Sequence, residues 1–250
     1  MSRESDDQVQ QDAPGRDGAV PVVEMRDRDF ARIGAALAAP ARARMLNLLM
    51  DGSVRPAGEL ARAAKVSPST GSEHLAVLVE ARLVTCTAQG RRRWYALAGP
   101  EVAEALEALG AVSEPTEVHS YAVSREAARL AEARLCYDHL AGRLGVAITD
   151  EWRRRGWLTG DQLALSDRGA EGLSALDVDV CAAGEARRPT TRACLDWTVR
   201  RPHLAGALGA AVATRFLDAE WVQKHRAGRG LTLTESGRGL LRDAWGLVLD

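Results

Sequence analysis

Ser67-Pro68-Ser69-Thr70-Gly71-Ser72-Glu73-His74-Leu75 is the stretch on which the reading of this chain turns. Ser67 is a good side-chain N-cap and Pro68 suits the first helical position, where a missing amide hydrogen costs nothing, so a helix opens here. It runs to about Ala81, with Leu75, Leu78 and Val79 as its inward stripe. Ser69, Thr70, Ser72, Glu73 and His74 sit on its first two turns, facing away from that stripe or near its edge. The polar end of this helix is therefore expected to project from the surface that its later turns help to bury.

Working outward, a short helix from Pro56 to about Ala64 turns Leu60 and Ala61 inward and ends in a tight turn at Lys65-Val66. Before it, Met45, Leu46, Leu48 and Leu49 fill a helix that follows Pro40 and stops at Asp51-Gly52, where glycine supplies a left-handed cap. A first helix begins near Asp27 and carries Phe30, Ile33, Ala36 and Leu37 on one face. After the central helix, Leu83 to Thr87 alternates as a strand, Ala88-Gln89-Gly90-Arg91 turns, and Arg92 to Leu97 returns. The hairpin has an arginine-rich tip. A last helix, Glu101 to Leu109, shows Ala105, Leu106 and Leu109 as its apolar face.

The charge distribution agrees with this layout. The chain has 250 residues and a net charge of -1, yet residues 41–98 hold nine basic side chains against four acidic ones, a local net of +5. A basic module on an otherwise acidic protein is the footprint of a nucleic-acid contact, since neutralising phosphates releases condensed counterions. Hydrophobic residues at 46% and charged residues at 27% describe a folding, globular chain. No apolar run reaches the ~20 residues that span a bilayer, so the expectation is no membrane and a cytoplasmic location. Four scattered cysteines, Cys86, Cys136, Cys181 and Cys194, make neither a Cys-x-x-Cys pair nor a disulfide framework.

Helix, helix, helix-turn-helix, hairpin, helix over residues 27–110, with Glu59-Leu60-Ala61 ahead of the stretch quoted above, resembles the ArsR (arsenical-resistance repressor) family of bacterial winged-helix regulators. Members carry a closely similar Ser-x-Ser-Thr-x-Ser-x-His-Leu run on the recognition helix and a Gly-Arg-rich wing. The resemblance implies a homodimer that binds double-stranded operator DNA, as a repressor, with no enzymatic activity. Ser67, Ser69, Thr70, Ser72 and His74 are then the candidates for the major groove, and Gln89, Arg91, Arg92 and Arg93 for the backbone or minor groove. A departure concerns metal. Metal-sensing members place a Cys-x-Cys pair ahead of the turn, where Arg55-Pro56-Ala57-Gly58 stands here, and the last helix, Glu101 to Gly110, lacks the histidine that others use. The competing reading is a winged helix used only for protein contacts.

Beyond the winged helix the chain repeats itself. Leu140-Ala-Gly-Arg-Leu-Gly-Val-Ala-Ile, followed by Trp157-Leu158, aligns with Leu204-Ala-Gly-Ala-Leu-Gly-Ala-Ala-Val, followed by Trp221-Val222. Backwards, Arg134-x-Cys136-x-Asp138-His139 aligns with Arg192-x-Cys194-x-Asp196 and His203, the second copy carrying an insertion. The expected organisation is an acidic disordered tail at 1–26, the winged helix at 27–110, a linker at 111–123 and an effector or dimerisation domain at 124–250. That domain reads as two tandem winged-helix-like repeats, about 124–180 and 187–250, so the fold class is mostly α with short β-hairpins. Its Ala-rich helices, Leu144 to Ile148 and Leu208 to Val212, lack a polar first turn, which suits a packed core or a ligand pocket between the repeats. Cys136, Asp138, His139, Cys194, Asp196 and His203 are open to several readings: a metal or metalloid site, a thiol-redox sensor, part of a small-molecule effector site, or inherited packing and ion pairs. No cofactor is certain on this reading. Catalytic signatures such as Gly-x-Ser-x-Gly, a phosphate loop or His-Glu-x-x-His are missing.

Overall fold

In the computed structural model the described residues are 29–113, 121–225 and 228–249. The expected acidic tail and the onset at Asp27 lie outside them. Helix α1 (Phe30–Leu37) is capped by the Asp29 side chain, which accepts from the Arg32 amide. Helix α2 (Pro40–Leu49) buries Met45, Leu46 and Leu49, and Gly52 beyond it has φ +71°, the left-handed geometry that only glycine takes without strain. Helix α3 (Ala57–Ala64) ends on Lys65 in the left-handed region, and α4 (Pro68–Glu80) begins on Ser67, whose hydroxyl accepts from the Thr70 amide.

Strands β2 (Val84–Gln89) and β3 (Arg92–Leu97) pair antiparallel, Gln89 opposite Arg92, leaving Gly90-Arg91 as the turn. Unforeseen in the sequence is β1 (Arg55–Pro56), which adds to β3 and makes a sheet of order β1-β3-β2. Helix α5 (Pro100–Val112) is longer than expected and turned differently. It buries Ala103, Glu107 and Ala111, while Ala105 and Leu109 are exposed and Leu106 is half-buried. The expected apolar face is thus on the outside, and a carboxylate is on the inside. The expected linker at 111–123 is likewise shortened, because α5 continues to Val112 and α6 (Tyr121–Glu132) starts at Tyr121.

The second half repeats an order of elements. Hairpin β4 (Arg134–Cys136) and β5 (His139–Ala141) leads into α7 (Gly142–Arg154), hairpin β6 (Leu158–Thr159) and β7 (Ala164–Leu165), and α8 (Asp167–Ser174). After α9 (Val180–Glu185) come hairpin β8 (Arg192–Leu195) and β9 (Pro202–Ala205), α10 (Gly206–Asp218), hairpin β10 (Val222–Lys224) and β11 (Leu231–Leu233), and α11 (Glu235–Trp245). Ser166 and Thr234 cap α8 and α11 through the amides of Gly169 and Gly237. What precedes α7 and α10 is a strand pair rather than a helix, which the sequence did not reveal.

One core joins the repeats. Leu144, Ile148 and Trp152 of α7 and Leu208, Val212 and Phe216 of α10 belong to it, with Trp245 set edge-on against Trp152 at 5.4 Å between ring centroids. Glycine lets each of these helices close on the hairpin before it and on the hairpin of the other repeat. A Cβ on Gly145 would stand 2.4 Å from the Leu140 carbonyl oxygen, and one on Gly209 would stand 2.7 Å from that of Leu204 and 3.2 Å from the His139 Cβ. The void between Leu140, Gly145, Leu204 and Gly209 is about 10 Å³, so this is packed core rather than a ligand pocket.

Candidate nucleic-acid interface and a buried Cys-His cluster

The face offered by α4 follows from its packing. Leu75 and Leu78 are fully buried, which fixes the roll of the helix and leaves Ser67, Ser69 and Ser72 exposed on its first turns, with Thr70 half-buried. Ser67 Oγ lies 2.9 Å from both Ser69 Oγ and Thr70 Oγ1, and Ser72 Oγ donates to the Pro68 carbonyl at 3.0 Å. These hydroxyls are pre-ordered at the end of a helix whose unpaired amides carry partial positive charge. α4 sits tight on α3, since a Cβ on Gly71 would meet the Ala61 Cβ at 2.6 Å.

His74 is held from behind. Arg42 donates to the Ala35 and Ala36 carbonyls at the end of α1, and its Nη1 lies 3.3 Å from His74 Nδ1. Because guanidinium only donates, His74 Nδ1 accepts and a neutral ring keeps its own proton on Nε2. Arg42 was not singled out in the sequence, where nothing local pairs it with a residue 32 positions on. On the wing, Gln89, Arg91, Arg92 and Arg93 are exposed, and among the described residues Arg91 and Arg92 form no ion pair. The tip therefore carries uncommitted positive charge beside the hydroxyl-bearing helix.

The second set of candidates divides. Cys136 faces His139 across hairpin β4-β5, and Cys194 faces His203 across β8-β9, each as a register pair. The two hairpins meet, and one donor atom from each of these four side chains lies within 4.8 Å of the others. All four residues are buried. The sulfurs are 3.9 Å apart and unbonded, and the imidazoles stack with centroids 5.0 Å apart. His139 Nδ1 is 3.3 Å from Asp138 Oδ1, whereas His139 Nε2 and both nitrogens of His203 are buried without a hydrogen-bond partner. Such orphaned groups cost about 1–3 kcal/mol each when nothing satisfies them. A hydrogen bond with Cys194 and burial push the Cys136 thiol up, and burial beside the charge of His139 pushes His203 down.

The two aspartates stand outside this cluster. Asp138 pairs with Arg188 at 2.5 Å. Asp196 accepts from the amides of Gly142, Thr198 and Val199 and pairs with Arg134 at 2.9 Å, and its carboxyl stays well below the usual range because Arg134 and these donors outweigh burial. Its Oδ2 is 3.9 Å from His203 Nδ1. Arg134, fully buried, also pairs with Glu107 of α5 at 3.0 Å, and Arg229 closes on the other oxygen of Glu107. Three residues earlier on α5, Glu104 pairs with Arg192. Arg134 and Arg192 hold matching places in the two repeats, so α5 is anchored to both. The turn of the first hairpin completes the joint, with the Tyr137 amide donating to the Met50 carbonyl of the first half at 2.5 Å.

Comparison with known proteins identifies the family. The family described as bacterial regulatory protein, arsR family, matches residues 39–85. The chain is 38% identical over 212 residues to the HTH-type transcriptional regulator YdfF of Bacillus subtilis (strain 168), covering 84% of this chain and 94% of that protein. A span of that length includes most of the second half. It is 40% identical over 105 residues to the HTH-type transcriptional regulator CmtR of Mycobacterium tuberculosis, covering 42% of this chain and 88% of the relative. The solved structure of that cadmium metal-sensor aligns over 36% of this chain and all of its own, at 37% identity and a TM-score of 0.29. With its winged helix-turn-helix, the Ser-rich α4 and a relative shared over nearly its whole length, the chain belongs to the ArsR family of bacterial transcriptional regulators.

Proposed function

We propose that the chain is a repressor that binds operator DNA as a homodimer. The observation that carries this reading is the exposed, hydroxyl-rich start of α4 beside a wing whose Arg91 and Arg92 have no partner among the described residues. In the major groove Ser69, Thr70, Ser72 and the Nε2 proton of His74 meet base edges, while Ser67 and the helix amides meet phosphate. Gln89 and the wing arginines lie along the flanking backbone or minor groove. The second half, through its anchors on α5, sets how this head is held.

Dimer formation is supported by the outer faces of α1 and α5. Phe30 is 77% exposed, Leu109 45% and Val112 77%, large apolar surfaces that a second copy would cover. A two-fold dimer then meets two half-sites about one helical turn, ~34–36 Å, apart. Footprinting on the DNA upstream of the chain's own gene is expected to protect an inverted repeat with that spacing; no protected repeat there or in a random-fragment selection removes the reading. L109D with V112D is expected to sediment as a monomer and to bind such a site at least tenfold more weakly, and a variant that stays dimeric rejects this surface.

A further inference from the structure

We propose that Cys136, His139, Cys194 and His203 together bind one zinc-type divalent cation, which clasps the two repeats to each other. Neither the position ahead of the turn, Arg55 to Gly58, nor helix α5 contributes a ligand, and the inference stands apart from the reading of the DNA-binding head.

The cluster has the donor set, the arrangement and the deficit that a cation would meet. Two thiolates and two imidazoles are a tetrahedral set of intermediate softness, which suits zinc rather than calcium or magnesium. In such a site, metal–sulfur bonds of ~2.3 Å and metal–nitrogen bonds of ~2.0–2.1 Å put ligand atoms about 3.3–3.8 Å apart. The sulfurs already stand at 3.9 Å, and the whole set within 4.8 Å needs only a small contraction. Each hairpin supplies one Cys and one His from a single cross-strand pair, so the site is halved between the repeats. A disulfide would use the sulfurs alone and leave His139 Nε2 and both His203 nitrogens buried and unpartnered, as they are now.

The surroundings fit as well. Asp138 stands 3.3 Å from His139 Nδ1, the carboxylate-on-imidazole arrangement that orients a histidine ligand and leaves its Nε2 for the metal, while Asp196 is 3.9 Å from His203 Nδ1 and makes no hydrogen bond to it. Binding releases both thiol protons, so two thiolates and one dication sum to zero in a buried place. With four protein donors the site is closed, the pattern of a structural ion. Its consequence reaches the first half, because Tyr137 lies between ligands 136 and 139 and donates to Met50.

The test uses the full chain without DNA, stripped by chelator under reducing conditions and titrated with Co²⁺ and then Zn²⁺. The expected result is one equivalent of Co²⁺ with the strong visible absorption of tetrahedral thiolate coordination, displaced by Zn²⁺, and a melting temperature that rises with the ion. C136S, C194S and H203Q each lose that band, while C86S with C181S keeps it. No saturable band in the reduced wild type, a pale octahedral spectrum, or a band that survives in C136S with C194S overturns the proposal, as does a Cys136–Cys194 disulfide whose reduction yields no metal binding. The wild-type titration decides even if a ligand variant fails to fold.

Discussion

Replacing Glu107 by alanine is expected to cost about 3–5 kcal/mol of stability, a large share of the ~5–15 kcal/mol that holds a domain together. Glu107 sits on α5 with its carboxylate buried between Arg134 and Arg229, and Arg134 also pairs with Asp196. The two guanidiniums and two carboxylates balance. Alanine leaves a guanidinium charge uncompensated away from water, and the penalty is that stranded charge rather than the modest net worth of a salt bridge. Glu107→Gln keeps the shape and one acceptor, so its loss should fall between wild type and alanine. Because the network joins α5 to both repeats, urea unfolding of the alanine variant is also expected to split into separate transitions for the two halves. A single transition with less than about 1 kcal/mol lost would show that α5 is held by packing alone.

The same residue marks where local sequence reasoning stops. Strong local signals placed the winged helix: Ser67-Pro68 opens α4, Leu75 and Leu78 set its roll, and Gly90-Arg91 closes the wing. On α5 the apolar pattern favoured Ala105, Leu106 and Leu109, because nothing nearby shows that Glu107 will be neutralised by an arginine 27 positions on and another 122 positions on. Strand β1 was invisible for a different reason. Two residues, one of them proline, carry no alternation, and proline is tolerated only where its missing donor is not needed.

The Cys-His cluster lies between these cases. The repeat itself was legible, since Cys136 and His139 have counterparts in Cys194 and His203. Strands of three and four residues are too short to announce themselves, so the cross-strand register that puts each Cys opposite its His was not. Asp138 and Asp196 looked equal to the other four as ligands. Only the positions of Arg188 and Arg134 assign them to ion pairs instead.

Removing the wing charge with Arg91→Ala and Arg92→Ala is expected to weaken operator binding about 10²- to 10³-fold near 0.1 M salt. Each phosphate contact contributes about 0.9 to the slope of log K against log salt, and a dimer brings two wings. Four lost contacts should therefore lower the slope by about 4, and equally for operator and unrelated DNA, since phosphates carry no sequence. Stability should not change, because Arg91 and Arg92 are exposed and make no ion pair among the described residues. Ser69→Ala with Thr70→Ala should do the opposite, leaving the slope nearly intact while narrowing the gap between operator and unrelated sequence. Fluorescence anisotropy across a salt series separates the outcomes. An unchanged slope takes the wing off the contact surface, and a fall of about 2 means that one wing of the dimer touches DNA.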